Sequence, residues 1–289
     1  MFRGTSTAII TPFTKDNKVD EDGLRRLVEF QEENGVDTIV PCGSTGESAM
    51  LSHEEHIRVI EIVVEQVEKA KVLAGAGSNS TSEAVMLSKH AEDLGVDGLL
   101  SISPYYVKPT QEGIYQHFKA IAESVDIPVV VYNIPGRTGS NITADTMLRM
   151  AEIPGIGAVK EASGNLEQIE DILDRRPTGF EVLSGDDGLT LPLIKKGADG
   201  VISVTSNCLP DRMSKMVSCA LNGNMEEAES VQEELRPLFD GLFIESNPIP
   251  IKYVMGRLGY GSGTPRLPLT PLSDEGRTKL DPILERMGL

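Results

Sequence analysis

Ile156-Gly157-Ala158-Val159-Lys160-Glu161-Ala162-Ser163 is a short apolar run that closes on a polar turn. Runs of about four to eight such residues read as buried strands. The signature recurs at Ser6–Ile10, Thr38–Pro41, Val72–Gly75, Gly98–Ser103, Pro128–Asn133, Glu181–Ser184 and Gly200–Val204, and Gly157–Glu161 makes the eighth. Between the strands lie amphipathic segments, Glu21–Asn34, His53–Lys69, Ser82–Leu94, Gln111–Ser124, Ala144–Met150, Leu166–Asp174 and Gly188–Lys196. Ser52-x-x-Glu55 spells a capping box, and Asn34-Gly35 and Leu94-Gly95 read as helix C-termini. Eight βα units predict an α/β fold, a (β/α)8 TIM barrel, with a doubly wound open sheet as the alternative. The barrel is favoured because nearly every strand runs into a polar or glycine-rich turn, as at Gly43-Ser-Thr-Gly46, Pro135-Gly-Arg137 and Gly185-Asp-Asp187. Barrel active sites form at that C-terminal face. From about Leu209 the strand pattern stops and helical patterns broken by Gly and Pro continue to Leu289. The expected division is a catalytic barrel over 1–222 and a C-terminal helical domain over 223–289.

The chain has 289 residues and a formal net charge of −17. That charge repels polyanions, so neither nucleic acid nor an anionic membrane is an expected partner. The three cysteines, Cys42, Cys208 and Cys219, form no Cys-x-x-Cys. Together with an N-terminus that lacks signal-peptide features, they lead to the expectation of a cytoplasmic protein with reduced thiols.

Lys160 is out of place in its strand. Lysine is almost never fully buried unless paired, and desolvation lowers its pKa. At an ordinary pKa near 10.4 only about one amine in ~2,500 is neutral at pH 7. A lowered pKa gives a nucleophile able to form an imine with a carbonyl compound. The competing reading is a lysine that snorkels to water or pairs with Glu161. Gly43-Ser44-Thr45-Gly46-Glu47 follows a strand and lacks the Lys-Ser/Thr of a phosphate loop. It is either a nest of N–H groups and hydroxyls suited to a carboxylate or a tight βα turn. Tyr132 closes strand five and can project a phenol into the barrel mouth, where phenols relay protons. Arg137, in the constrained Pro135–Gly139 loop, can grip a carboxylate with both guanidinium arms. Each has a plainer reading, a core tyrosine and a surface arginine. His53-Glu-Glu-His56 shares a helix face, but its spacing is not that of His-Glu-x-x-His and no third ligand is evident, so no metal is expected.

Gly43–Ser48, Pro104-Tyr-Tyr106, Tyr132–Gly139, Val159-Lys160-Glu-Ala, Ser184-Gly-Asp-Asp187, Gly200–Val204 and Asn247-Pro-Ile-Pro-Ile-Lys252 together resemble the dihydrodipicolinate synthase family of pyruvate-dependent class I aldolases. The resemblance runs through essentially the whole chain, in order. It implies a Schiff-base lyase that condenses pyruvate with L-aspartate 4-semialdehyde to 4-hydroxy-tetrahydrodipicolinate, in the diaminopimelate route to lysine. It implies no cofactor beyond a covalent imine through Lys160. Tyr132 would be the proton relay, with Thr45 and with Tyr106 lent across a subunit interface. Ser44 and Thr45 would hold the pyruvyl carboxylate, Arg137 the carboxylate of the semialdehyde, and Gly185 and Ile202 would line the site. Ser44 stands where the family often has threonine, which keeps a hydroxyl. The resemblance further implies a homotetramer, a dimer of dimers. Lysine is expected as a feedback inhibitor held by Ser48, Ala49, His53, His56, Asn79, Glu83 and Tyr105. Tyr105 and Tyr106 would point to opposite sides of an extended segment. Two readings compete: a 2-keto-3-deoxy sugar acid aldolase or sialic acid lyase of the same superfamily, against which Arg137 argues, and a non-catalytic amino-acid sensor.

Overall fold

The computed structural model describes residues 1–289. Its eight parallel strands follow one another in chain order around a closed barrel: β1 (Gly4–Ala8), β2 (Thr38–Val40), β3 (Lys71–Gly75), β4 (Gly98–Ile102), β5 (Val129–Asn133), β6 (Ile156–Glu161), β7 (Glu181–Ser184) and β8 (Gly200–Ser203). Because β1 pairs with both β2 and β8, with Ser6 opposite Thr38 on one side and Ile202 on the other, the sheet has no edge. That closure rules out the doubly wound alternative.

The largest departure from the expected strands is at the start. β1 ends at Ala8, two residues short of Ile10, and begins with Gly-Thr-Ser-Thr, a segment hydropathy undervalues. All five of its residues are buried. The Thr7 hydroxyl donates to the side-chain oxygen Oε1 of Gln31 at 2.7 Å, which offsets the cost of burying a hydroxyl. Ile10 has left the ladder, and its N–H donates to the Asn207 side chain at 2.9 Å.

Twelve helices surround and cap the barrel: α1 (Glu21–Glu33), α2 (His53–Gln66), α3 (Thr81–Asp93), α4 (Gln111–Ala122), α5 (Pro135–Thr138), α6 (Ala144–Ala151), α7 (Leu166–Arg175), α8 (Thr190–Lys195), α9 (Pro210–Leu221), α10 (Met225–Gly241), α11 (Ile249–Arg257) and α12 (Asp274–Met287). Ser52 and Glu55 form the expected reciprocal capping box at the start of α2. The one-turn helix α5 occupies what reads in sequence as a loop. Its proline at the first helical position and Gly139 in the left-handed region bracket the turn.

The strands are buried on both faces, which is why they read as continuous apolar runs. Outside them, 60 buried residues fill the layer between strands and helices in one cluster that also takes in Leu235, Leu238, Leu280 and Leu284 of the C-terminal helices. Inside, ten residues stack along the barrel axis, among them Val40, Leu73, Leu100, Val130, Ala158 and Leu183. Phe2 belongs to this inner stack and packs where Gly98 leaves room for its ring. The other end, where the strands finish, carries the polar groups.

Candidate active site

Lys160 lies on β6 one residue from its C-terminal end, paired with Tyr132 of β5 and Leu183 of β7. It is 6% exposed, and its Nζ sits 4.3 Å from the centroid of the Tyr132 ring. Its pKa falls to about 7 because burial penalises the ammonium. The Asp187 carboxylate pulls it back up, and the Arg137 charge pushes it further down. The Glu161 partnership that would make Lys160 structural does not form. Glu161 takes N–H groups from Asn133 at 3.1 and 3.2 Å and from the Ser163 backbone at 2.8 Å, since successive strand residues face opposite sides. Gly185 supplies the space for the lysine: a Cβ there would stand 3.1 Å from Lys160 Cε and 2.7 Å from the Ala162 methyl.

Ser44 and Thr45 are presented by the turn that follows β2. Cys42 and Glu47, on either side of them, both adopt positive φ, 55° and 57°. Gly75 allows the turn its close approach, because a Cβ there would fall 2.1 Å from the Cys42 carbonyl oxygen. Thr45 is buried, and its Oγ1 accepts from Asn247 Nδ2 at 3.0 Å. The same Asn247 offers its backbone carbonyl to Arg137 Nη2 at 2.9 Å. Arg137 therefore stands at the mouth on α5 with one guanidinium arm anchored. Burial pushes the Tyr132 phenol up to about 12, against the pull of Arg137 and Ser44. The phenol is therefore protonated at neutral pH, able to donate and to accept. Ile202 lies below, in the inner stack.

A cavity of about 670 Å³ opens over this end of the barrel. Ser44, Tyr132, Arg137 and Asn247 line one part, and Ser48, Ala49, His53, His56, Glu83 and Tyr105 line another. Two groups to which the resemblance gives different roles thus share one chamber. Glu83 is already engaged, accepting from Ser78 Oγ and meeting His53 Nε2 at 2.8 Å. His56 is buried beneath them, and desolvation lowers its pKa to about 4. The two imidazoles therefore meet different surroundings, His53 paired with Glu83 and His56 desolvated. Asn79 is not among the lining residues. The segment with Tyr105 and Tyr106 is a tight turn, not the extended stretch expected. Tyr106 has φ 72°, and the Val107 N–H closes onto the Tyr105 carbonyl at 2.8 Å. The two side chains still part company, since Tyr105 lines the cavity while Tyr106 is 86% exposed.

Sequence reasoning gave no role to four buried groups that this structure gathers around the site: Asn247, Asp187, Glu47 and Lys252. Lys252 carried a usable signal, a charge inside the apolar helical run Ile249-Pro-Ile-Lys252-Tyr-Val254. Asp187 did not, because an Asp-Asp turn reads as solvated. Its Oδ2 takes the Thr205 N–H at 2.8 Å and the Thr205 hydroxyl at 2.7 Å, and its Oδ1 has no partner.

The model of the Dihydrodipicolinate synthetase family matches residues 1–287. The chain is 52% identical over 290 residues to the 4-hydroxy-tetrahydrodipicolinate synthase of Syntrophus aciditrophicus (strain SB), covering 100% of this chain and 99% of that one. Among solved structures, the chloride-inhibited dihydrodipicolinate synthase of Acinetobacter baumannii complexed with pyruvate is 43% identical. It superposes with a TM-score of 0.97, with 100% of this chain and 99% of that one covered. The lysine-bound enzyme of Cyanidioschyzon merolae is 42% identical with a TM-score of 0.96, over 100% and 99% of the two chains.

Proposed function

Because this chain belongs to the dihydrodipicolinate synthetase family, we propose that Lys160 is the nucleophile through which it takes up pyruvate as an imine. The chain catalyses the condensation of pyruvate with L-aspartate 4-semialdehyde to 4-hydroxy-tetrahydrodipicolinate, in the diaminopimelate route to lysine. The aldolase and sialic acid lyase readings are not favoured, since relatives near 50% identity across the whole chain bear the synthase name. The observation that carries the assignment of Lys160 is its burial beside Tyr132 without an ion-pair partner, with its pKa lowered to about 7.

The neutral amine adds to the pyruvate ketone, and loss of water leaves a protonated imine. That cation is an electron sink, so a methyl proton departs and an enamine forms. Its terminal carbon attacks the aldehyde of the semialdehyde. The amine brought by the second substrate then displaces Lys160 and closes the ring, which frees the lysine. Each step moves a proton, and a hydroxyl relay serves it. Tyr132 is the central relay group in this reading, with Thr45 beside it and Tyr106 supplied by a neighbouring subunit. The exposure of Tyr106 supports that last role. Ser44 and Thr45 hold the pyruvyl carboxylate, Arg137 holds that of the semialdehyde, and Gly185 and Ile202 shape the floor.

Lysine is proposed as an inhibitor bound by Ser48, Ala49, His53, His56, Asn79, Glu83 and Tyr105, in a homotetramer built as a dimer of dimers. The continuity of the cavity with the Ser44–Tyr132 side supports a short path between the two sites. Borohydride reduction in the presence of pyruvate tests the core of the assignment. A stable mass increment on the peptide holding Lys160 is expected. Labelling of another lysine in active enzyme would refute it.

A further inference from the structure

Away from the reacting atoms, a second lysine is buried more deeply than Lys160. Lys252, on α11, is 1% exposed and Glu47 is equally enclosed. Their Nζ and Oε1 stand 2.5 Å apart. Lys252 also donates to the Thr11 carbonyl at 2.9 Å and lies 3.7 Å from the centroid of the Phe13 ring. The other Glu47 oxygen accepts the Arg266 backbone N–H at 2.8 Å. The pair joins three separate pieces of chain: the turn after β1, the turn after β2 and the C-terminal helical region.

We propose that Lys252–Glu47 is a positioning pair that fixes the Ser44–Thr45 hydroxyls for pyruvate, a role that rests on the reading of those hydroxyls as the pyruvate carboxylate site. Glu47 is two residues from Thr45 and holds φ 57°, a region that few residues other than glycine adopt without support. Its side chain has no outlet to water, so its place is set by Lys252 and the Arg266 N–H. The turn is gripped from the same side a second time, where Asn247, five residues before Lys252, donates to Thr45 Oγ1. The Thr11 hydroxyl adds a bond to the Gly46 carbonyl at 2.7 Å. Each clamp lies within two residues of Thr45, and the ion pair, together with the Arg266 N–H, secures the far end of the turn. Misplacing a binding group by about an ångström costs up to roughly a hundredfold. Arg137 touches neither member of the pair: it stands on α5 and donates to the Asn247 carbonyl. Loss of the pair therefore falls on pyruvate and spares the semialdehyde.

The test compares Glu47→Gln, Lys252→Met and the double variant with the parent enzyme, measuring thermal midpoint, KM for each substrate and the pyruvate concentration that half-saturates borohydride trapping. The double variant removes both charges at once, so it stays informative where a single variant, left with an unpaired buried charge, fails to fold. The expected result is a double variant that folds, with pyruvate half-saturation raised about tenfold or more and a semialdehyde KM within about twofold of the parent. A folded double variant with parental pyruvate half-saturation would overturn the positioning role, as would equal losses for both substrates. Parent enzyme that yields no trapped adduct would instead sink the pyruvate reading beneath it.

Discussion

The pH dependence of pyruvate capture follows from the environment of Lys160, and it can be pushed in two directions by substitution. Its surroundings, burial foremost, take the amine from its usual 10.5 to about 7, a net bias of about 5 kcal/mol against the ammonium. At pH 7 the neutral fraction then rises from about one in 3,000 to about one half. Since kcat/KM reports the free enzyme, its value for pyruvate should climb about tenfold per pH unit below pH 6 and level off above pH 8. Asp187 favours the ammonium and Arg137 opposes it. Asp187→Asn should therefore move the inflection down, and Arg137→Ala should move it up. The assay is initial rate against pH at limiting pyruvate, paired with borohydride trapping so that the lysine itself is observed. A parental inflection near 10, or two variants that shift the same way, would refute the account of what tunes this amine.

Arg137→Ala should raise the semialdehyde KM about ten- to a hundredfold, the loss expected for a charge-assisted contact, while trapping with pyruvate survives at high pH; steady-state kinetics in both substrates checks this. Mixing Tyr106→Phe with Lys160→Ala protein should recover part of the activity, because a hybrid dimer holds one complete site; no recovery after proven subunit exchange would count against a shared tyrosine. Lysine should inhibit the parent enzyme partially, by about tenfold at saturation if coupling is typical, and His56→Lys and Glu83→Ala should relieve it; unchanged parental rates at millimolar lysine would remove the regulatory claim alone. Ile172→Ala, in the fully buried face of α7, should cost about 2–5 kcal/mol in stability, read from chemical denaturation, without altering the inflection of the pH profile.

Much of this architecture was legible from the chain because strands buried on both faces leave apolar runs, and helices between them leave a 3.6-residue period. The one strand displaced in the reading, β1, is the one built of Gly, Thr, Ser and Ala, which hydropathy undervalues; Gln31 meets the Thr7 hydroxyl there, while Ser6 Oγ has no protein partner. The helix α5 was hidden for another reason. A single turn is too short to show periodicity, and only its Pro start and Gly stop betray it. What sequence cannot display is convergence across distance. Asn247 reaches Thr45 over 202 positions and Lys252 reaches Glu47 over 205, and no local pattern encodes either contact.

Lys160 and Lys252 show why a buried lysine must be judged by its partners. Both interrupt apolar segments, both rest against an aromatic face, and burial lowers both pKa values, to about 7 and about 8. The difference lies in what occupies the nitrogen. Lys252 spends its N–H groups on Glu47 and the Thr11 carbonyl, so its lone pair appears only if an ion pair is broken in a closed space. Lys160 has no carboxylate in contact, and Asp187 acts on it only through its field. It stands beside Tyr132, whose ring borders the open cavity, at the strand ends where Gly185 has cleared the floor. An unpaired amine, half neutral at pH 7 and set against the ring of a tyrosine that lines the cavity, is chemically available. An amine sealed against a carboxylate is not. The same desolvation thus yields a nucleophile in one place and a clamp in the other, and the clamp holds the turn on which the nucleophile's substrate is proposed to sit.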